Sequence, residues 1–266
     1  MISAITLSTL RTMKKRGEKF ATLTAYDASF SSVLESAGVE AILVGDSLGM
    51  VIQGNSTTVP VTIDETIYHT RCVRQGSRNT LLIADMPFMS DATPELALAN
   101  AARLMKEGGA QVVKLEGGAV IVDTVRLLSD RGIPVCGHLG LLPQSINKLG
   151  SYRVQGRDEA SAKRMVEDAL LLESAGAELL VLECVPAVLA KEMSEQLTIP
   201  VIGIGAGADC DSQVLVLYDL LGITPGKRPR FSKNFLAGAE SIEAAIETYV
   251  KQVKSGEFPA AEQIIA

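Results

Sequence analysis

One punctuation pattern recurs along the 266 residues: a helix-like stretch, a glycine, a few residues, then a short apolar run. Gly38 precedes Ala41–Val44, Gly76 precedes Leu81–Ala84, and Gly108 and Gly109 precede Gln111–Val113. Gly132 precedes Pro134–Cys136, and Gly176 precedes Glu178–Leu182. Glycine belongs just past a helix because that position often needs φ > 0. Short apolar runs without alternation suit strands covered on both faces, as in parallel sheets. Further runs at Phe20–Thr24, Pro200–Gly205 and Gln213–Leu217 bring the total to about eight strands alternating with helices, the number that closes a barrel. The alternative, a doubly wound open sheet, lacks a GxGxxG after the first strand. The expectation is α/β: a single (β/α)8 TIM barrel over residues 1–266 with a short N-terminal helix. A chain this long with 47% hydrophobic residues can fill one such core.

Helix starts are marked as well. Thr62-Ile-Asp-Glu65 reads as a capping box, and Thr93-Pro94 puts proline in a first turn. The basic stretch Met1–Lys19 has a superficial likeness to a transit peptide, but Ile5, Leu7, Leu10 and Met13 suit a short packing helix and no cleavage site is evident. A cytoplasmic protein is expected. The net charge of −6 offers no general attraction for nucleic acid or anionic lipid. No apolar run approaches the roughly 20 residues that span a bilayer. The four cysteines, Cys72, Cys136, Cys184 and Cys210, are dispersed and read as buried thiols.

The residues that close the apolar runs form a series: Asp46, Asp85, Glu116, His138 and Glu183. In a barrel they share one mouth, where active sites are built. A single acid there is commonly a helix cap or loop solvator, but five polar closures in succession are not explained that way. Neighbouring strands lie about 4.8 Å apart, so Asp46, Asp85 and Glu116 can approach one hard cation, Mg²⁺ before Mn²⁺. Three carboxylates around a divalent ion stay net negative, and Lys114, on the face of Glu116, is expected to anchor substrate oxygen. A plain Lys114–Glu116 ion pair is the alternative. His138 lies between glycines at a strand end and is expected to be functional, whereas His69, inside a helix, is expected to be structural. Glu183, if desolvated, is suited to take a proton from carbon. Gly203–Gly207 is suited either to cradling phosphate or to tight strand-to-loop packing.

The segments Ala25–Asp27, Leu43–Met50, Ala84–Phe88, Val113–Gly117, Val135–Gly140, Val154–Arg157, Leu182–Pro186 and Ile202–Gly207 together closely resemble the 3-methyl-2-oxobutanoate (ketopantoate) hydroxymethyltransferase family, in order and over nearly the whole chain. The resemblance implies a barrel of the phosphoenolpyruvate/pyruvate type with one Mg²⁺ per subunit. It also implies transfer of a one-carbon unit from the co-substrate 5,10-methylenetetrahydrofolate to 3-methyl-2-oxobutanoate, giving 2-dehydropantoate and tetrahydrofolate in pantothenate biosynthesis. Position by position, Asp46, Asp85 and Glu116 match metal ligands. Asp46, Ser47, Asp85 and Lys114 match keto-acid contacts, and Glu183 matches the proton acceptor; His138, read from its strand-end position, is expected to play a supporting catalytic part. A cytoplasmic homo-oligomer, commonly a homodecamer, is implied, with small-molecule partners and neither nucleic acid nor membrane. Leu142, where the family often has Thr, and the tail after Phe258, which lacks His-Ser, depart from the pattern. Two other readings compete: a metal-dependent lyase acting on a keto-acid enolate, and a non-catalytic scaffold or sensor.

Overall fold

The computed structural model describes residues 4–224, 226 and 228–264, so the extreme ends of the expected 1–266 domain lie outside it. Helix α1 (Leu7–Lys15) leads into β1 (Phe20–Thr24), α2 (Ala28–Ser36), β2 (Ala41–Val44), the short α3 (Leu48–Val51), α4 (Ile63–Gly76) and β3 (Leu81–Asp85). Next come α5 (Pro94–Arg103), which runs on as a π turn over Leu104–Gly108, then β4 (Val112–Glu116), α6 (Val122–Asp130), β5 (Val135–Gly140), α7 (Ile146–Leu149), α8 (Glu159–Ser174) and β6 (Ala177–Glu183). The chain finishes with α9 (Ala187–Gln196), β7 (Val201–Ile204), β8 (Ser212–Leu215), α10 (Leu217–Leu221) and α11 (Ile242–Ser255). All pairings are parallel, and β8 pairs with β1 to close an eight-stranded barrel. The open-sheet alternative is thereby excluded.

The strands do alternate, but between two apolar environments. Ala41, Leu43, Leu81, Ile83, Val112, Leu179, Val181, Ile202 and Val214 form one buried cluster inside the barrel. Their neighbours in sequence, such as Ile42, Leu82, Val113 and Leu180, face the helices in two other clusters. Successive side chains on a strand point oppositely, so an uninterrupted apolar run is what a two-sided strand requires. Helix α1 closes the N-terminal end. Its Thr6 forms a capping box with Thr9, Leu10 is fully buried in the inner cluster, and Lys14 Nζ reaches Asp211 Oδ2 at 2.6 Å and the Ser194 carbonyl at 2.8 Å. The N-terminal stretch is therefore a packing helix from Leu7 onward; its first three residues lie outside the described part.

The capping box at Thr62 and the proline at the start of α5 are present as expected. The last strand is shifted: it spans Ser212–Leu215 instead of Gln213–Leu217, because Val216 takes the N-cap position and Leu217 already belongs to α10. Three of the cysteines are buried, while Cys72 on α4 is only partly so, and all four are free thiols. Among the described residues no helix is long and apolar enough to cross a membrane.

Candidate active site

The inward-facing positions of the strands change character toward the C-terminal end. On β3 the sequence Leu81, Ile83, Asp85 runs from core to mouth; β4 gives Val112, Lys114, Glu116, β5 gives Cys136 and His138, and β6 gives Leu179, Val181, Glu183. Register places Asp85 beside Lys114, and Glu116 beside His138. Asp46 lies just past β2, and its backbone N–H donates to Asp85 Oδ2 at 2.9 Å, which draws the β2 turn onto β3. Asp46, Asp85, Lys114, Glu116, His138 and Glu183 therefore gather at one end of the barrel, with Ser47 next to Asp46 in the turn after β2. Asp46, Asp85, Lys114 and His138 are at most 4% exposed.

Lys114 is the hub. Its Nζ lies 2.6 Å from Asp85 Oδ1, 3.9 Å from Glu116 Oε1 and 3.2 Å from His138 Nδ1. Lys114 thus pairs more closely with Asp85 than with Glu116, the partner expected for a simple ion pair. An ammonium only donates, so His138 Nδ1 must accept, which puts the ring proton on Nε2. Nε2 faces Glu183 Oε2 at 3.3 Å without good alignment, a contact of the kind that tightens on ligand binding. Glu116 Oε1 lies 3.4 Å from His138 Nδ1.

Electrostatics follow from burial. Desolvation, then the charges of Asp85 and Glu116, pushes Asp46 up to about 8. Burial pushes Glu116 up to about 7 against the pull of Lys114. Burial opposes the Lys114 charge as well, but Asp85, Glu116 and Asp46 outweigh it and lift the ammonium above its ordinary value. Burial and the Lys114 charge hold His138 below its usual value, so the ring is neutral. Burial raises Glu183 despite the opposing His138 contact. Excess carboxylate is therefore only partly balanced by one cation, and Asp46 Oδ2 and Glu116 Oε1 have no hydrogen-bond partner among the described residues. Such buried orphans are costly unless a ligand satisfies them. Among the described residues no three His, Cys, Asp or Glu side chains already stand as a metal-ligand set.

Local backbone features hold Glu183. Cys184, next in sequence, has φ of 49°, a left-handed conformation rare for a residue with a side chain. Gly140 on the adjacent strand has φ of 94°, and a Cβ there would overlap the Glu183 carbonyl oxygen. Leu141 N donates to that oxygen at 2.8 Å. Glycine at 140 is what lets β5 approach β6 closely enough to fix the Glu183 backbone.

Sequence reasoning missed several residues. Gln144, in the segment after β5, donates from its backbone N–H to Glu116 Oε2 at 3.2 Å and from Nε2 to the Met86 carbonyl at 3.0 Å. Asp91, part-buried after β3, is raised by burial while feeling the Lys114 charge. Tyr26, two residues past β1, meets Ser47 Oγ at 2.7 Å through its hydroxyl. Its place in the Ala25–Asp27 motif was the one available signal. His69 is structural as expected: its Nδ1 lies 2.7 Å from the Tyr26 carbonyl, which only accepts, so Nδ1 carries the proton. In Gly203–Gly207 the packing role has direct support, since a Cβ at Gly203 would press on Cys210 Sγ and one at Gly207 on Ala187.

A family model described as ketopantoate hydroxymethyltransferase matches residues 4–261. The 3-methyl-2-oxobutanoate hydroxymethyltransferase of Nitrosococcus oceani is 60% identical over 258 residues, covering 97% of this chain and 98% of that protein. The enzyme of the same name from Shewanella loihica is 58% identical over 261 residues, covering 98% of each. Among solved structures, a phosphonopyruvate hydrolase superposes with a TM-score of 0.63 at 13% identity, covering 96% of this chain and 98% of that one. A 2,3-dimethylmalate lyase of the phosphoenolpyruvate mutase/isocitrate lyase superfamily gives 0.58 at 15% identity, covering 84% and 83%. At such identities the structural likeness establishes the barrel type alone.

Proposed function

The chain belongs to the ketopantoate hydroxymethyltransferase family, and on that premise we propose how its own residues carry the transfer of a hydroxymethyl group to 3-methyl-2-oxobutanoate in pantothenate biosynthesis. The co-substrate is 5,10-methylenetetrahydrofolate, and the products are 2-dehydropantoate and tetrahydrofolate. The observation that carries the reading is the arrangement at the mouth: a buried, raised carboxyl at Glu183 faces a neutral His138, and a buried Lys114 stands beyond that ring among three carboxylates.

Asp46, Asp85 and Glu116 would hold Mg²⁺. The all-oxygen donor set fits a hard cation, and the unpartnered Asp46 Oδ2 and Glu116 Oε1 are oxygens that such an ion would satisfy. When bound, the ion supplies Lewis-acid polarisation of the keto group, which acidifies the neighbouring C–H.

The remaining work falls to side chains of the chain. Lys114, together with Ser47, Asp46 and Asp85, holds the keto acid, and the lysine charge offsets negative charge on the substrate oxygens. Glu183 takes the proton from C3; its burial strips water from the carboxylate and makes it a stronger base than an exposed one. The Nε2–H of His138 orients that carboxylate and is placed to hydrogen-bond the new hydroxymethyl oxygen. The nucleophilic carbon then forms a bond to the folate-borne methylene as one of its two carbon–nitrogen bonds breaks; the second breaks as water supplies the hydroxyl oxygen, and the two freed folate nitrogens take up one proton from the water and one equivalent to that removed from C3.

Conversion of 3-methyl-2-oxobutanoate to 2-dehydropantoate, measured with and without methylenetetrahydrofolate and with chelator against added Mg²⁺, tests this reading. Product should require both. Carbon–carbon cleavage of a keto acid without folate would replace it with the lyase reading. A homo-oligomer, a homodecamer by likeness to the family, and a cytoplasmic setting belong to the same proposal.

A further inference from the structure

Tyr26 occupies an unusual place for a phenol. Only 2% of its surface is exposed. Its backbone carbonyl accepts from His69 Nδ1 at 2.7 Å. Its ring is caged by His69, edge-on at 6.4 Å, and by Tyr218 at 6.0 Å. These contacts come from α4 and α10 and leave the side chain one orientation. In that orientation the hydroxyl lies 2.7 Å from Ser47 Oγ.

The polarity of this hydrogen bond follows from the partners. Burial, reinforced by the nearby Asp46 and Asp85 charges, keeps the phenol protonated. A phenol is a stronger donor and a weaker acceptor than an aliphatic hydroxyl, so Tyr26 gives its proton and Ser47 Oγ accepts it. The Thr24 hydroxyl, which accepts from Leu217 N at 3.0 Å, also interacts with the same phenol. Having accepted, Ser47 keeps its own proton for another partner, and a hydroxyl that accepts donates better. Gly45 leaves room beside the serine: a Cβ built there would sit 3.0 Å from Ser47 Oγ and 3.4 Å from Asp85 Oδ2, so both oxygens flank the same side-chain-free stretch of the β2 turn. Asp85 is already engaged by Lys114 and Asp46 N.

We infer that Tyr26 is a positioning residue for the keto acid: by donating to Ser47 Oγ it fixes the serine rotamer and aims the serine proton at a substrate oxygen. This rests on the reading of Ser47 as a keto-acid contact. The effect is on binding of the ground state and transition state alike, because the substrate oxygen is held throughout, so KM moves and kcat does not.

The test is steady-state kinetics of Mg²⁺-supplemented enzyme with saturating methylenetetrahydrofolate, for Tyr26→Phe, Ser47→Ala and the double variant. Tyr26→Phe removes one oxygen and keeps the ring cage. It should raise KM for 3-methyl-2-oxobutanoate about five- to tenfold with kcat within about twofold. Ser47→Ala should do the same, and the double variant should be no worse than Ser47→Ala alone. A wild-type KM in Tyr26→Phe beside a raised one in Ser47→Ala overturns the inference and leaves the serine contact standing. A wild-type KM in Ser47→Ala removes the serine contact and the inference with it. Losses that multiply in the double variant, or a Tyr26→Phe effect confined to kcat and melting temperature, also overturn it. Should Tyr26→Phe not fold, 3-fluorotyrosine at position 26 strengthens the donor within the same cage; KM should then fall, and an unchanged KM is a refutation.

Discussion

Lys114→Met gives the sharpest measure of the charge balance at the mouth, because it keeps most of the side-chain volume and removes only the cation. Lys114 Nζ lies 2.6 Å from Asp85 Oδ1, with both side chains at most 4% exposed. Coulomb's law at an effective dielectric of about 20 gives roughly 6 kcal/mol for that separation. Part is returned because the ammonium no longer has to be dehydrated, and part because the carboxylates can take up protons; broken buried pairs cost about 3–5 kcal/mol. At about 2–4 °C per kcal/mol for a chain of this size, the metal-free variant should melt roughly 6–20 °C below the parent at alkaline pH. The pH dependence has a definite sign. Asp46 and Glu116 have folded values of about 8 and about 7, above those of the unfolded chain. Their contribution to stability is fully present below the unfolded carboxylate range and is lost as pH rises through those values. Lys114 moderates that loss, so the variant's deficit should shrink as the cluster protonates. Melting followed by circular dichroism at pH about 5.5 and about 8.5 with chelator, then with Mg²⁺, reads this directly. The deficit should be larger at the higher pH than at the lower, and partly repaired by the ion. An equal deficit at both pH values, or none at the higher, refutes the account.

Glu183→Gln should lower solvent deuterium exchange at C3 of the keto acid by about 10²–10⁴-fold while leaving Mg²⁺-dependent substrate binding intact; unchanged exchange removes Glu183 as the base. In the parent enzyme the same exchange should rise tenfold per pH unit up to an inflection lying above the ordinary carboxylate range, since burial raises Glu183 and only its ionised form accepts a proton. An inflection at or below pH about 4.3 would contradict that environment. Leu10→Ala, at the opposite end of the barrel, should cost about 2–5 kcal/mol in urea unfolding with kcat unchanged, because Leu10 is fully buried in the inner cluster and far from the mouth.

Barrel and mouth were legible for one reason: strand periodicity maps sequence position onto depth. Once β4 is recognised, Val112, Lys114 and Glu116 must point the same way and climb toward the same end. The parallel order then carries Asp85, His138 and Glu183 to that end without any knowledge of loops. Periodicity says nothing about what crosses from one loop to another. Gln144 reaches the Met86 carbonyl and Tyr26 reaches Ser47 only because particular loops fold over the strand ends. Nor does it fix where a strand yields to a helix: Val216 and Leu217 are as apolar as strand residues, but backbone geometry assigns them to the cap and first turn of α10. The tautomer of His138 was equally out of reach, since it depends on a 3.2 Å contact with an ammonium from the next strand.

The two ends of the barrel divide stability from chemistry along the same strands. Toward the N-terminal end, Phe20, Ala41, Leu81, Val112 and Leu179 fill the interior and Leu10 seals it, so closure there depends on burial that no pH or ligand alters. At the other end the same inward positions carry charge, and orphaned oxygens remain on Asp46 and Glu116. A closed sheet makes this tolerable. Every strand is hydrogen-bonded on both sides, so repulsion among strand-end carboxylates cannot be relieved by a strand peeling away; what remains is protonation, pairing with Lys114, or a bound cation. The unfavourable charge at the mouth is thus held in place by the apolar end of the barrel, and it favours ligands that bring positive charge and hydrogen-bond donors to it.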